Sequence, residues 1–232
     1  MRVSIHQPQF LPWSGFWAKV AASQVHCIYT GVKFDKSDYQ HRVTIADAHW
    51  IGMQVGDSER NKLICDVKLS DTFSLKKAAI TIRQKFMTRR FAHRTRLEPI
   101  VAVLEEWEGD SMCRLNIRLM RLLTDVLKMP WVEFYEDSLP RQEMGKVERL
   151  RDVLDLWPGA EYYMGQGALE YMGYEDMPGH EVWVQRQRSK PSSHSVLQLI
   201  AEHPDPLSVI EASWCWTNKD GRERAFRRGV AV

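Results

Sequence analysis

Two prolines close to the N-terminus constrain the chain most. Residues 3–17 read Val3-Ser-Ile-His-Gln-Pro-Gln-Phe-Leu-Pro-Trp-Ser-Gly-Phe-Trp17. Val3 and Ile5 alternate with polar neighbours as a strand does, and Pro8 and Pro12 then forbid continuation of either a ladder or a helix. Gly15 permits close backbone approach just before the apolar-periodic segment Phe16–Val25. The order is strand, tight loop, helix. In α/β proteins such a loop lies at the carboxyl end of a strand beside a helix N-terminus, so His6 and Gln7 are predicted at the mouth of a site.

The rest of the chain extends this pattern. Short strands are predicted near Arg2–His6, Val25–Tyr29, His41–Ala46, Trp50–Val55 and Lys62–Leu69, each bounded by Gly, Asp or Asn. Helices follow from Ser74 to about Phe91, over Leu97–Trp107 and over Ser111–Leu127, where Pro130 stops the run. A strand at Trp131–Tyr135, a helix at Gln142–Leu156, a strand at Glu161–Met164, a helix near Gly167–Met172, a strand at Glu181–Arg186 and a helix at Ser195–Glu202 complete the ordered part. The predicted fold class is α/β, a Rossmann-like N-terminal sheet with a largely helical middle region. One domain is expected over 1–217: a strand-rich basic lobe (1–70), a helical insertion or cap (71–128) and a mixed α/β part (129–217). Residues 218–232 read as a basic, flexible tail.

Charge is divided unevenly. Residues 1–96 hold 16 Lys/Arg against 7 Asp/Glu, a net of +9, whereas 97–232 hold 16 against 23, a net of −7. No carboxylate lies between Asp71 and Glu98, a stretch that carries Arg83, Lys85, Arg89, Arg90, Arg94 and Arg96. Without i,i+4 partners these charges repel one another unless an anion neutralises them. Arg83, Lys85 and Arg89 are therefore candidate phosphate or nucleic-acid contacts, with a solvated face as the plain alternative. No apolar run approaches the ~20 residues of a membrane span and no signal-peptide core opens the chain, so a cytoplasmic protein without membrane insertion is expected. Cys27, Cys65, Cys113 and Cys215 are widely spaced, which offers neither a zinc motif nor a disulfide framework, and no metal site is predicted.

The candidate catalytic residues are His6, Gln7 and His41. An imidazole at a strand end can act as general base near neutral pH or donate to an anionic oxygen; its plainer role is to hold the proline-rich loop. Trp13 and Gly15 are assigned to substrate binding, Trp13 as a stacking wall and Gly15 as loop shape. Lys33 and Lys36 can meet a phosphate as point charges, and Arg42 can grip it with two donors. Gly165-Gln-Gly167 is a weak phosphate signal, because no lysine follows it as in a P-loop.

His6, Gln7, Pro8, Phe10, Leu11, Pro12, Trp13, Gly15 and Phe16 together resemble the opening motif of the WbqC-like protein family. Val32-Lys-Phe34, Lys36 and Tyr39-Gln-His-Arg-Val-Thr-Ile45 are similar to a second family block, and Ala160–Gly165 with Tyr171 and Ser195–Leu199 to two weaker ones. Thr30-Gly31 stands where the family shows an acidic pair, His41 where it shows Asn, Met164 where it shows Ser and Gln198 where it shows Asp. The resemblance implies a role in surface-polysaccharide assembly, with amino-acid transfer as the proposed chemistry. The expectation is a transferase that moves a small amine or amino acid, glycine-like, onto an activated, phosphate-bearing acceptor such as a nucleotide-sugar or a modified nucleic-acid base. The implied partner is a phosphorylated or nucleotide-like small molecule, with DNA as a further candidate. No cofactor is indicated. The alternative is a non-catalytic nucleic-acid-binding module using the basic N-terminal half, for which the replaced carboxylates are dispensable.

Overall fold

The computed structural model describes residues 1–189 and 195–225. Along the chain come β1 (Arg2–His6), α1 (Ser14–Ala22) and β2 (Val25–Tyr29), then a long excursion holding the hairpin β3 (Arg42–Ile45) and β4 (His49–Gly52) and the helices α2 (Phe73–Phe86), α3 (Glu98–Glu106) and α4 (Met112–Val126). The chain returns to the sheet as β5 (Glu133–Asp137), α5 (Lys146–Leu154), β6 (Glu161–Met164) and β7 (Glu181–Gln187), and continues with α6 (Leu197–Glu202), α7 (Pro206–Ser213), β8 (Trp214–Thr217) and β9 (Glu223–Ala225).

The main sheet has the order β5-β2-β1-β6-β7-β8-β9. β5, β2, β1, β6 and β7 run parallel, while β8 and β9 are antiparallel additions at one edge. The parallel strands thus follow the Rossmann-like succession third, second, first, fourth, fifth. The sheet first grows from β1 through β2 to β5, and then jumps back to the other side of β1 with β6. That reversal opens a crevice above the carboxyl ends of β1 and β6, where α/β folds of this kind bind ligands. Burial follows from the parallel arrangement: every residue of β2 is buried, as expected of a strand covered on both faces.

Local chemistry explains where elements begin and end. Ser111 Oγ accepts from the Arg114 N–H at 3.3 Å to cap α4, and Asp205 accepts from the Ser208 N–H at 3.2 Å to cap α7. α2 stops at Phe86, short of the predicted Phe91. Residues five apart on a helix point about 140° away from each other, so the chain must turn for Phe91 to pack edge-on against buried Phe86, at 5.9 Å between ring centroids.

Other differences also have physical causes. Lys62–Leu69 forms a short 3₁₀ turn at Ile64–Asp66 rather than a strand, because its fully buried residues, Ile64 and Val67, recur at three positions and not two. The segment after Gly165 is likewise a 3₁₀ turn, Gln166–Glu170. Residues 218–225, read from sequence as the start of the tail, turn and pair with β8. Asn218 Oδ1 accepts from the Asp220 and Arg222 N–H groups at 3.2 and 3.0 Å, and Gly221 takes φ +72°, so an Asp-Gly turn closes the hairpin. Residues 226–232 of that tail lie outside the described residues.

Candidate active site

A cleft of about 1590 Å³ opens at the switch point. Its floor comes from the carboxyl ends of β1 (Ile5, His6), β2 (Tyr29), β6 (Tyr162, Met164) and β7 (Gln185, Gln187), with Gly15, Phe16 and Lys19 of α1 beside them. The start of the excursion, residues 32–38 with His41, Arg42 and Arg60, supplies one part of its wall, and α5 with the 3₁₀ turn after β6 supplies another. The cleft brings together His6, Gln7, Trp13, Gly15, Lys33, Lys36, His41 and Arg42. Arg83, Lys85 and Arg89 do not line it.

His6 ends β1 with its ring edge-on to Phe16 at 5.3 Å and its Nδ1 2.9 Å from the Gln7 carbonyl oxygen. With Nδ1 as the donor in that contact, Nε2 is left as an acceptor. Desolvation and the neighbouring Lys19 lower the His6 pKa to about 3, against the weaker upward pull of the Gln7 carbonyl. Sequence reasoning places a group titrating near neutrality at this position; in the fold the ring is uncharged at neutral pH and presents Nε2 as an acceptor.

Gln7 ties the loop to the excursion. Its Oε1 accepts from Gln40 Nε2 at 2.8 Å, and the Gln40 carbonyl in turn accepts from Asn116 Nδ2 of α4 at 2.7 Å. The close approach that Gly15 permits is that of its own neighbour: a Cβ at position 15 would stand 2.3 Å from the Trp13 ring. Trp13 itself packs edge-on to Trp214 at 5.4 Å and is only partly buried, so its inner face stabilises the loop and its outer edge reaches the cleft.

On the excursion wall, His41 is buried beside Phe34, and its Nδ1 has no hydrogen-bond partner. Burial, with Arg42 and Lys36 adding to it, brings its pKa to about 4. Lys36 reaches Asp57 at 2.8 Å, and Arg60 shares the same carboxylate at 3.1 Å. Arg42 donates to the Ser37 carbonyl at 3.1 Å and lies 4.8 Å from the ring centre of Trp50. Lys33 is exposed at the rim.

The replaced acidic positions behave differently from one another. Thr30 is buried and donates to the Asp137 carbonyl at 3.1 Å. Gly31 cannot accept a side chain, because a Cβ there would come within 2.0 Å of the Leu139 carbonyl oxygen. Gln198 bonds to Glu202 at 2.9 Å, away from the cleft. Gly31→Ala is expected to cost at least about 2 kcal/mol through this backbone clash. Gly167→Ala, where a Cβ meets nothing within 4 Å, is the control, expected within about 0.5 kcal/mol of the parent. Equal melting temperatures for the two variants would contradict the packing described.

Sequence reasoning missed Lys19. All nine residues of α1 are buried, and Lys19 is 4% exposed, with no hydrogen bond or ion pair to its Nζ among the described residues. Desolvation brings its pKa down to about 7. A signal was present: a helix apolar on every side is buried on every side, so a lone lysine within it must be buried too. Lys146 and Arg149 on α5 were also missed, since amphipathic periodicity cannot say which side of a helix meets a cleft.

The basic run belongs to another surface. Arg83 donates from Nε and Nη2 to Glu105 at 3.1 and 3.0 Å and from Nη1 to Glu98 at 3.1 Å, so α3 neutralises it. Arg96 bonds the carbonyls of His203 and Pro204, and Arg94 that of Phe91. Arg89 and Arg90 are exposed.

The model of the WbqC-like protein family matches residues 7–212. The chain belongs to the WbqC-like protein family. The matched span contains the whole excursion and every cleft residue named above except His6 and Ile5, which precede it, and Trp214, which follows it. No curated protein and no solved structure matches the chain. Among the described residues of this WbqC-like chain, no helix is long and apolar enough to cross a membrane.

Proposed function

We propose that this WbqC-like protein is a transferase that joins a small amine or amino acid to an activated, phosphate-bearing acceptor, a nucleotide-sugar or a modified nucleic-acid base. The observation that supports this most is the charge of the cleft. Lys33, Arg42, Lys146 and Arg149, with Lys36 and Arg60 sharing Asp57, surround it against Asp35, Asp38 and Glu143, while the His6 ring at its floor stays neutral. Cations at the rim suit a phosphate, and a neutral imidazole suits an amine, which a charged one would repel in its ammonium form.

In the reaction the amine nitrogen forms a bond to the acceptor atom that carries the phosphate. The bond from that atom to the phosphate oxygen breaks, and the departing phosphate takes the amine proton. His6 is too weakly basic to hold that proton, and its Nε2 accepts a hydrogen bond that aims the nitrogen lone pair. Arg42 and Lys33 stabilise the charge that grows on the leaving oxygen.

The test is phosphate or pyrophosphate release that depends on both an amine and an acceptor, screened with labelled glycine against nucleotide-sugars and base analogues. Arg42→Gln is expected to lower kcat/KM about 10- to 100-fold, as loss of one charged hydrogen-bonding partner does. The competing reading is a nucleic-acid-binding module. It draws less support, because Arg83 is already paired with Glu98 and Glu105. Salt-sensitive DNA affinity without amine-dependent phosphate release would establish the binder and overturn the transferase.

A further inference from the structure

Lys19, His6 and His26 form a basic cluster with no acidic partner. His26 on β2 is fully buried; its Nδ1 lies 2.8 Å from Ser4 Oγ, and its Nε2 has no partner. All three groups surround one ring. His6 is 5.3 Å and His26 5.4 Å from the Phe16 centroid, and the Lys19 Nζ is 6.0 Å from it. Lys19 adds repulsion to both histidines, and His6 adds it to His26. No carboxylate among the described residues pairs with any of the three.

Direction matters as much as composition. Helical side chains lean toward the helix N-terminus, so Lys19, in the second turn of α1, extends back toward the cleft, which it lines. At the same end of α1 the Phe16 and Trp17 N–H groups are bonded to the Trp13 carbonyl at 3.1 and 3.3 Å, and buried Ser14 Oγ has no hydrogen-bond partner. A buried, unpaired amine and a helix N-terminus lie at this end of the floor, and both favour negative charge once the amine is protonated, while the free His6 Nε2, an acceptor, favours the ammonium form of Lys19 beside it.

We propose that this part of the floor, where Lys19 lines the cleft beside the Phe16 ring and the N-terminus of α1, binds the anionic group of the ligand, a carboxylate or phosphoryl oxygen, and takes up a proton as it does so. The proton balance is simple: neutral Lys19, a proton from solvent and the anion become an ammonium–anion pair. The pair restores the counter-charge that the fold omits. For the reaction proposed above, on which only the ligand's identity rests, the group is either the carboxylate of an amino-acid donor or a phosphoryl oxygen of the acceptor.

The experiment is a titration of the full chain carrying ¹³Cε-labelled lysine, with the Lys19 resonance assigned by its loss in Lys19→Met. Sulfate stands for the phosphoryl group and acetate for the carboxylate, since neither titrates between pH 6 and 9. The Lys19 midpoint is expected near 7 without anion and at least one unit higher with it, which corresponds to an at least tenfold tighter hold on the anion by the ammonium form. The larger shift with sulfate names the acceptor phosphate, and the larger shift with acetate names the donor carboxylate. Lys19→Arg, which keeps the charge without titrating, is expected to bind the same anion with no proton uptake. A midpoint unmoved by both anions, or sulfate and acetate binding to Lys19→Met as tightly as to the parent, overturns the proposal. Amine transfer with an unmoved Lys19 would sink this inference alone, whereas a moved Lys19 without transfer would sink the transferase alone.

Discussion

Lys19→Met is expected to stabilise the protein, by an amount that depends on pH. The unfolded chain holds the lysine proton up to about pH 10.4, and the folded chain releases it near 7. Between those values the unfolded state binds more protons, so stability rises with pH; below 7 the full cost of the buried charge is present. A depression from 10.5 to about 7 corresponds to on the order of 5 kcal/mol at about 1.4 kcal/mol per unit. Methionine keeps most of the packing without the charge. The gain in unfolding free energy should therefore approach several kcal/mol at pH 6.5 and shrink to about 1.4 kcal/mol at pH 9.5. Urea unfolding at the two pH values checks this. A gain that is the same at both, or a loss at pH 6.5, would show that Lys19 is not held neutral by burial.

Acid should unfold the protein early. Burial, with help from Lys19, sets His6 near 3; burial, with help from Arg42 and Lys36, sets His41 near 4; and burial holds His26 well below its ordinary value. In the unfolded chain all three accept protons near pH 6.5. Their contribution is complete above that pH and is lost as the pH falls toward 3–4. For His6 and His41 the shifts correspond to on the order of 5 and 3 kcal/mol, which, with His26 added, is comparable to a whole domain's stability of about 5–15 kcal/mol. A cooperative circular-dichroism transition is expected between about pH 4 and 5. His41→Gln should move that midpoint downward, because one proton fewer is gained on unfolding. A native signal persisting at pH 3, or a midpoint that His41→Gln leaves in place, would contradict the shifts.

The α/β class was legible because the strand-proline-helix order at residues 2–22 admits few alternatives. The position of the opening loop beside the cleft was legible for the same reason, since a loop that ends the first strand of a parallel sheet must lie at its carboxyl edge. The pairing of Arg83 was not legible for a specific reason. Absence of a carboxylate nearby in sequence is not absence in space, and Arg83 finds its partners 15 and 22 residues away on α3. Lys19 escaped notice because the segment Phe16–Val25 reads as apolar-periodic without an account of the single charge inside it. The C-terminal hairpin was hidden by charge: Asn218-Lys-Asp-Gly221 carries a turn signal, yet the basic residues after it suggested a tail.

The bond between Gln7 and Gln40 acts as a mechanical link. One end belongs to the segment that carries His6, the other to the wall that carries Lys33, Lys36, His41 and Arg42, and a backbone bond from the Phe10 N–H to the Tyr39 carbonyl at 3.0 Å doubles it. Any displacement of that wall therefore drags the floor with it, and the cations of the wall and the His6 ring move as one lever. A larger or smaller ligand cannot be accommodated by shifting that wall alone. On this geometry, a change in the size of what the cleft holds requires altered side chains on α5, the side of the cleft to which this link does not extend.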